Sequence, residues 1–169
     1  MATHPVLTAD LSKLLEKIKE QPYGMLTTLN QQGHLHARPM YTQAPDASGS
    51  LWFFTDHESA KVHEVHRDAQ VCVAYGHPGQ NLYVSVTGTA KVVLDRAKID
   101  ELWSEPLKAW FPKGKDDPNI ALLRVDIERG EYWDSPSNVL VQAYAYLKAV
   151  TTGEKSQGGP GSEHAKVSA

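Results

Sequence analysis

Apolar residues near the start of the chain recur at the spacing of an amphipathic helix. They follow one another at i, i+3, i+4 and i+7, with Lys and Glu residues between them: Leu11, Leu14, Leu15 and Ile18. This pattern predicts a helix that lays one stripe of side chains on a core. Because proline disfavours helical backbone in the residue before it, the helix is expected to end near Pro22.

After this helix the chain alternates between short β-rich runs and turn residues. Met25 to Leu29 and His34 to Thr42 flank the turn 30–33, which predicts a hairpin. Pro39 has no N–H group to donate, so the second strand is expected at an edge, a bulge or a break in the ladder. The further predicted strands cover residues 51–55, 70–75, 82–86, 89–94, 120–127 and 131–133, with a bend at Gly88.

Capping residues and apolar spacing predict three more helices. Asp56 is placed as the cap of a short helix over residues 57–66, and Asp95 as the cap of the next helix. Ser135 and Pro136 open a C-terminal helix. The apolar residues of that helix are Val139, Leu140, Ala143 and Leu147.

These elements favour a mainly β fold with peripheral helices. Six or seven short strands joined by hairpins predict an antiparallel β-barrel rather than a parallel sheet. One domain is expected over residues 1–150. Residues 151–169 are rich in Thr, Gly, Ser, Lys and Glu and have no periodic apolar positions, which predicts a disordered tail.

Composition and charge exclude several classes of protein. The 169 residues carry a net charge of −3 and no run of Lys or Arg reaches five, so a surface that grips nucleic acid is not expected. The single cysteine, Cys72, allows no intrachain disulfide and lies in an apolar strand. The sequence contains neither an apolar signal-peptide core nor an uncharged run of about 18 apolar residues, so we expect a cytosolic protein without a membrane span.

A hydroxyl and a cation lie close together at the start of the predicted second helix, directly after the aromatic strand 51–55. Ser59 and Lys61 are suited to an anion, because the first amides of a helix are unpaired and its dipole favours negative charge. Arg38 would add a second phosphate contact, since a buried guanidinium needs an anion. Solvated surface positions for Lys61 and Arg38 stay open as the alternative, because spacing alone does not separate the two.

No standard catalytic or metal motif is found. His63 and His66 are three residues apart, not the four typical of a metal-binding helix, so no metal is expected. A G-x-S-x-G elbow and a G-x-x-x-x-G-K loop are both absent, which removes hydrolases and nucleoside triphosphatases. No side chain is nominated as a catalytic acid or base. The rings of Trp110 and Phe111 lie in a long polar loop and are expected to meet a ligand or a neighbouring subunit.

Several short motifs follow one another over about residues 10 to 148. They are Ala37-Arg38-Pro39-Met40; Leu51 to Asp56 with Ser59 and Lys61; Val84-Ser85-Val86-x-Gly88; Asp95-Arg96-x-Lys98-Ile99 with Glu101-Leu102-Trp103; Lys108 to Pro112 with Gly114; Asp117-Pro118; and Glu131-Tyr132-Trp133-Asp134. In this order and spacing the chain resembles the pyridoxamine phosphate oxidase-like family of flavin-binding split barrels, and within it the general stress protein branch.

The resemblance implies a split-barrel homodimer with two identical FMN sites between its subunits. By position it assigns the phosphate to Arg38, Ser59 and Lys61. The resemblance places five positions along the edge of the isoalloxazine ring, partly through backbone groups: Pro39, Met40, Phe53, Phe54 and Thr55. Further candidates, from the loop or the partner chain, are Trp110 and Trp133. The chain lacks the C-terminal Arg-x-His-x-Arg segment of true pyridoxamine phosphate oxidases, so oxidation of the vitamin B6 phosphates is not expected.

Two functions are compatible with such a site. The first is an oxidoreductase in which FMN moves electrons between a reduced nicotinamide, or another small donor, and an acceptor that the sequence does not identify. The second is a non-catalytic flavin-binding or flavin-sensing protein of the general stress response. Binding of haem or of a deazaflavin on the same barrel is a third possibility.

Overall fold

Seven strands, four α-helices and two short 3₁₀ helices make up the described part of the chain. The computed structural model describes residues 9–43, 48–135, 139–152 and 163–168. The helices are α1 Ala9–Lys19, α2 Ala60–Arg67, α3 Arg96–Leu102 and α4 Val139–Thr152. The strands are β1 Tyr23–Leu29, β2 Leu35–Tyr41, β3 Leu51–Asp56, β4 Gln70–His77, β5 Leu82–Val93, β6 Ile120–Asp134 and β7 Glu163–Ser168.

All seven strands belong to one antiparallel sheet. Its order is β2-β1-β4-β5-β6-β3, and β7 pairs with β6. β6 is long enough to serve two partners in succession: residues 120–125 pair with β3 and residues 129–134 pair with β7. The predicted mainly β, antiparallel barrel with peripheral helices is confirmed, as a split barrel with seven strands in the described residues.

The barrel is only partly closed between its two end strands, β2 and β3. One bridge joins them in the described residues, with Thr42 opposite Phe53, and the Gln43 N–H donates to the Trp52 carbonyl oxygen (2.8 Å). Because the two segments run antiparallel, the chain before Thr42 and the chain after Phe53 lie on the same side of this bridge. The opening between β2 and β3 therefore has Arg38 on one side and the start of α2 on the other.

The core lies between α1 and the concave face of the sheet. Leu14 and Ile18 of α1 are buried in the same cluster as Phe53 of β3. A second cluster surrounds Phe54, whose ring centroid lies 5.8 Å from that of Trp103. Burial of a large apolar side chain contributes roughly 1.5 to 3 kcal/mol. β3 is thus held on both of its faces.

The last long strand differs from the prediction of two strands over residues 120–127 and 131–133. β6 is continuous from residue 120 to residue 134. A Cβ atom at Gly130 would lie 2.2 Å from Cδ2 of Leu14, so glycine lets α1 lie directly on the strand. The predicted strands 82–86 and 89–94 are likewise one continuous strand, β5. The irregularity predicted at Gly88 is present as a shift of the β5–β6 register, where a Cβ would lie 2.1 Å from the Asp126 carbonyl oxygen.

The helix after β3 begins later than the sequence predicted. Ser59 is its N-cap residue, so the assignment of Asp56 as the cap is wrong. Asp56 Oδ1 instead accepts the N–H of Glu58 (2.8 Å), which holds the turn between β3 and α2. Asp95 is confirmed as the cap of α3, since its carboxylate accepts the N–H of Ala97.

The C-terminal segment also differs from the prediction of a disordered tail over residues 151–169. Residues 163–168 form β7, and Val167 of this strand is buried in the main apolar cluster. Lys13 of α1 forms an ion pair with Glu163, which ties the strand to the helix. Residues 153–162 and 169 lie outside the described residues, as do residues 136–138, where the C-terminal helix was predicted to start. The single domain over residues 1–150 stays a prediction.

The apolar stripe predicted for α4 is not buried throughout. Leu147 is 61% exposed, and Tyr146 and Val150 are similarly open. Within the ranges that the structure describes, no helix is long and apolar enough to cross a membrane.

Candidate functional site

The start of α2 carries hydrogen-bond donors without a helical partner. The first amides of an α-helix, here those of Ala60 and Lys61, have no carbonyl group one turn earlier. The Ser59 hydroxyl makes no capping bond among the described residues and lies 3.1 Å from Oγ1 of Thr55 at the end of β3. Amides, hydroxyl and helix dipole together favour an anion at this end of the helix.

Arg38 lies across the opening and is held by a buried carboxylate. Its Nη2 donates to Glu64 Oε2 (2.7 Å) and its Nη1 to Thr28 Oγ1 (2.6 Å). The Thr28 hydroxyl in turn donates to the same Glu64 oxygen (2.6 Å), so the three side chains form a closed ring of hydrogen bonds. Arg38 is therefore neither a solvated surface arginine nor without a partner in the protein.

The charge of Glu64 is maintained by these contacts. Burial alone would raise the pKa of Glu64, but the Thr28 hydrogen bond and the Arg38 charge outweigh burial and hold the pKa below its ordinary value. Glu64 is a carboxylate at neutral pH and neutralises part of the positive charge of Arg38.

Lys61 differs from Arg38 because it is half-buried without a partner. Its ammonium makes no hydrogen bond or ion pair to any residue that the structure describes. Burial, and then the positive charge of Arg38, lower the pKa of Lys61, while Asp56 and Glu64 oppose the shift. An anion near both cations would compensate for the burial and for the repulsion between them.

The five positions predicted along the ring edge flank the opening, but their side chains do not all face it. Phe53 and Phe54 are buried in the two apolar clusters, so only their backbone groups are available to a ligand. Met40 is also buried, whereas Pro39 lies on the opposite, exposed face of β2. The Thr55 hydroxyl contacts Ser59 and therefore lies beside the anion site.

The two predicted tryptophans lie elsewhere in the single chain. Trp110 is 59% exposed on the loop before β6, while its neighbour Phe111 packs on Phe54 with ring centroids 6.1 Å apart. Trp133 is 39% exposed near the end of β6 and stacks on His164 of β7, with centroids 5.3 Å apart. No described contact joins either tryptophan to the start of α2.

Two cavities are also found. One of about 470 Å³ is lined by His57 and Glu58 of the turn before α2 and by His63 and His66 of the helix, among others. One of about 440 Å³ lies beside β7, with Arg129 and Lys166 in its lining. Neither is lined by the predicted phosphate residues. No group of three His, Cys, Asp or Glu side chains in the described ranges is arranged to hold a metal ion.

Comparison with known proteins decides the family. A family profile described as "Pyridoxamine 5'-phosphate oxidase like" matches residues 9–157. The chain belongs to this family.

Similar proteins in the family are general stress proteins. The chain is 32% identical over 119 residues to general stress protein 26 of Bacillus subtilis, covering 69% of this chain and 82% of that protein. It matches the crystal structure of a putative general stress protein 26 from Jannaschia sp. with a TM-score of 0.70 and 27% identity, over 96% of this chain and 100% of that one. A general stress FMN/FAD binding protein from Xanthomonas citri matches with a TM-score of 0.66 and 33% identity, over 78% of this chain and 94% of that one.

In this member of the pyridoxamine 5'-phosphate oxidase-like family, sequence reasoning missed Glu64 and Thr28. Their pairing with Arg38 joins α2, β1 and β2, which are not adjacent in sequence. A partial signal was present, because Glu64 lies between the apolar residues Val62 and Val65 on the buried side of its helix. An acid in that position needs a hydrogen-bonded partner.

We expect Lys61→Met to leave the free energy of unfolding unchanged or to raise it at neutral pH. The pKa of Lys61 is lowered by folding, so its charge opposes folding below the folded pKa, and this penalty disappears as the pH rises towards 10.5. Urea denaturation at neutral pH and near pH 10 measures both effects.

Lys17→Met is the matched control. The hydrogen bond to Asp134 raises the pKa of Lys17, so its contribution is stabilising below pH 10.5 and is lost above it. We expect this change to cost about 1 kcal/mol at neutral pH. A loss from Lys61→Met as large as that from Lys17→Met would show that Lys61 has a structural partner.

Proposed function

We propose that this protein binds FMN at the opening between β2 and β3, as a flavoprotein of the general stress response. The FMN phosphate is held by Arg38, Ser59 and Lys61. The observation that carries the proposal is the half-buried Lys61 ammonium, which has no anionic partner in the described residues and lies close enough to Arg38 for the two charges to repel.

The phosphate end of FMN fits the donors present. The guanidinium of Arg38 has five N–H groups, and three are engaged, by Thr28, Glu64 and His36. With respect to the part of the chain that the structure describes, two N–H groups of Arg38, the Lys61 ammonium and the first amides of α2 are left to donate. Charge-assisted hydrogen bonds of this kind are the strong ones.

The ring end fits the edges of the opening. β2 and β3 are the two end strands of the sheet, so backbone N–H and C=O groups along the opening are available to a heteroaromatic ring with donors and acceptors at its rim. Backbone contacts do not require the buried side chains of Phe53 and Phe54 to move. The similar Xanthomonas citri protein, described as FMN/FAD binding, supports flavin as the ligand.

A variant that loses affinity for FMN but keeps its affinity for riboflavin tests the proposal. We expect Lys61→Gln to weaken FMN binding about 10- to 100-fold, because a hydrogen bond to a charged group contributes about 1.5 to 3 kcal/mol. Riboflavin has no phosphate, so its affinity should change less than about twofold by the same argument. Flavin fluorescence titration measures both ligands.

Lys19→Gln, at an exposed position of α1, is the matched control and should leave both affinities unchanged. Equal losses for FMN and riboflavin with Lys61→Gln would place the phosphate elsewhere. No FMN binding by the unaltered protein would end the proposal.

We further propose that the protein is a homodimer whose FMN sites lie between the subunits. The outer face of the sheet carries an exposed apolar band across β2, β1, β4, β5 and β6. Its large members are Tyr41, Tyr23, Met25, Tyr83 and Trp133, each at least 39% exposed.

The pairing register places the large members of this band on neighbouring strands. Tyr41 lies opposite Tyr23, and Tyr83 lies between Gly76 and Trp133. An exposed apolar patch of this kind fits a protein partner, and a second copy of the chain supplies a complementary face by two-fold symmetry. The band borders β2, so the same partner would cover the open side of the flavin site.

Met25→Lys tests the dimer, because it places a charge in the apolar band. We expect this variant to be monomeric by size-exclusion chromatography with light scattering, and to bind FMN more weakly. Leu94→Lys is the control, since Leu94 is 64% exposed outside the band. A dimer that survives Met25→Lys, or a monomeric unaltered protein, would contradict this interface.

The remaining question is whether bound flavin turns over. FMN, when bound, supplies one- or two-electron transfer at its ring, and the protein supplies orientation and hydrogen bonds. We propose an oxidoreductase with a small-molecule donor, and the alternative is a non-catalytic flavin-binding or flavin-sensing stress protein. The cytosolic location stays a prediction.

Anaerobic mixing with NADH or NADPH separates these functions. The oxidoreductase predicts loss of flavin absorbance faster than for free FMN under the same conditions, and its return when an acceptor is added. Absorbance that is unchanged by either donor would favour the non-catalytic function. An absorption spectrum of haem or of a deazaflavin in the purified protein would show that this group, and not FMN, is the ligand.

A further inference from the structure

The ring of hydrogen bonds around Glu64 does more than neutralise a buried charge. Glu64 Oε2 receives both the Arg38 Nη2 hydrogen (2.7 Å) and the Thr28 hydroxyl (2.6 Å), and Arg38 Nη1 donates to that hydroxyl (2.6 Å). His36 Nδ1 contacts the same Nη2 of Arg38 at 2.8 Å. The orientation of the guanidinium plane is thus fixed from three directions.

The carboxylate that fixes the orientation of Arg38 also repels a bound anion. Glu64 lies one helical turn after Lys61, so it is a negative charge at the site proposed for a phosphate. Its carboxylate lies 2.7 Å from Nη2 of Arg38, the guanidinium proposed to hold the phosphate, and it also opposes the lowering of the pKa of Lys61. Glu64 therefore has two opposite effects on a bound phosphate: it orients Arg38 favourably, and it repels the ligand.

We propose that Glu64 is a positioning residue that selects the phosphate-bearing form of the flavin, by holding Arg38 with its two unengaged N–H groups towards the start of α2. This inference rests on the proposed function. It predicts that the effect of removing the Glu64 charge changes sign according to whether Arg38 is present.

A double-mutant cycle tests the change of sign. With Arg38 present, we expect Glu64→Gln to weaken FMN binding about tenfold, because the guanidinium loses its orientation. In the Arg38→Ala background, we expect Glu64→Gln to strengthen FMN binding severalfold, because only the repulsion is removed. Riboflavin affinity should change less than about twofold in all four proteins, since it carries no phosphate.

A purely structural role for Glu64 predicts a different result. FMN and riboflavin would then weaken together, and the loss would have the same sign in both backgrounds. Either outcome overturns the proposal. Arg38→Lys replaces Arg38→Ala if leaving Glu64 without a cation prevents folding, and the expected gain from Glu64→Gln is then smaller.

NMR of the flavin-free protein separates this inference from the proposed function. In the unaltered protein we expect the Nη protons of Arg38 to give separate signals, because the hydrogen bonds restrict rotation of the guanidinium. Glu64→Gln should merge them, whereas Glu128→Gln, an exposed acid on β6, should not. Separate signals that persist in Glu64→Gln overturn the inference even if FMN binds. If the signals merge in Glu64→Gln but the unaltered protein does not bind FMN, Glu64 does position Arg38 and only the proposed FMN binding is contradicted.

Discussion

The ion pair between Glu64 and Arg38 connects the two ends of an open sheet. Glu64 belongs to α2, which follows β3 after three residues, whereas Arg38 belongs to β2 at the opposite end of the strand order. Thr28 of β1 completes the ring of hydrogen bonds. Breaking a buried pair typically costs 3 to 5 kcal/mol, about as much as burying one or two large apolar side chains. This contact therefore holds α2 against β1 and β2 and keeps Arg38 at the opening.

The opening beside that pair has the properties of a binding site because backbone groups and a lysine that border it have no partner in the described residues. β2 and β3 share a single bridge in the described residues, so backbone groups along their edges have no strand partner. Lys61 is half-buried without an anion in the described residues, although Lys13 and Lys17 of α1 each have a carboxylate partner. The fold thus places an uncompensated cation at a helix start beside an unpaired edge. A molecule with a phosphate at one end and a polar-rimmed flat ring at the other would compensate for both.

Local patterns in the sequence predicted most of the elements, and contacts between distant segments account for the errors. The stripe Leu11 to Ile18, the turn 30–33 and the cap Asp95 depend on neighbours within about four residues, and all are confirmed. β7 was missed because a polar segment becomes a strand only by pairing with β6. Glu64 was missed because its partners come from β1 and β2. Arg38, Ser59 and Lys61 were selected from the sequence, and their role as phosphate ligands stays a prediction.

The central claim is that the FMN phosphate lies between Arg38 and the start of α2, where Ser59 and Lys61 are found. A crystal structure of the protein grown with FMN tests it most directly. We expect the phosphate oxygens within hydrogen-bond distance of Lys61 Nζ, Ser59 Oγ and the Arg38 guanidinium, with the ring along the edges of β2 and β3. A phosphate bound at any other surface, with Lys61 unchanged and without a partner, would contradict the account.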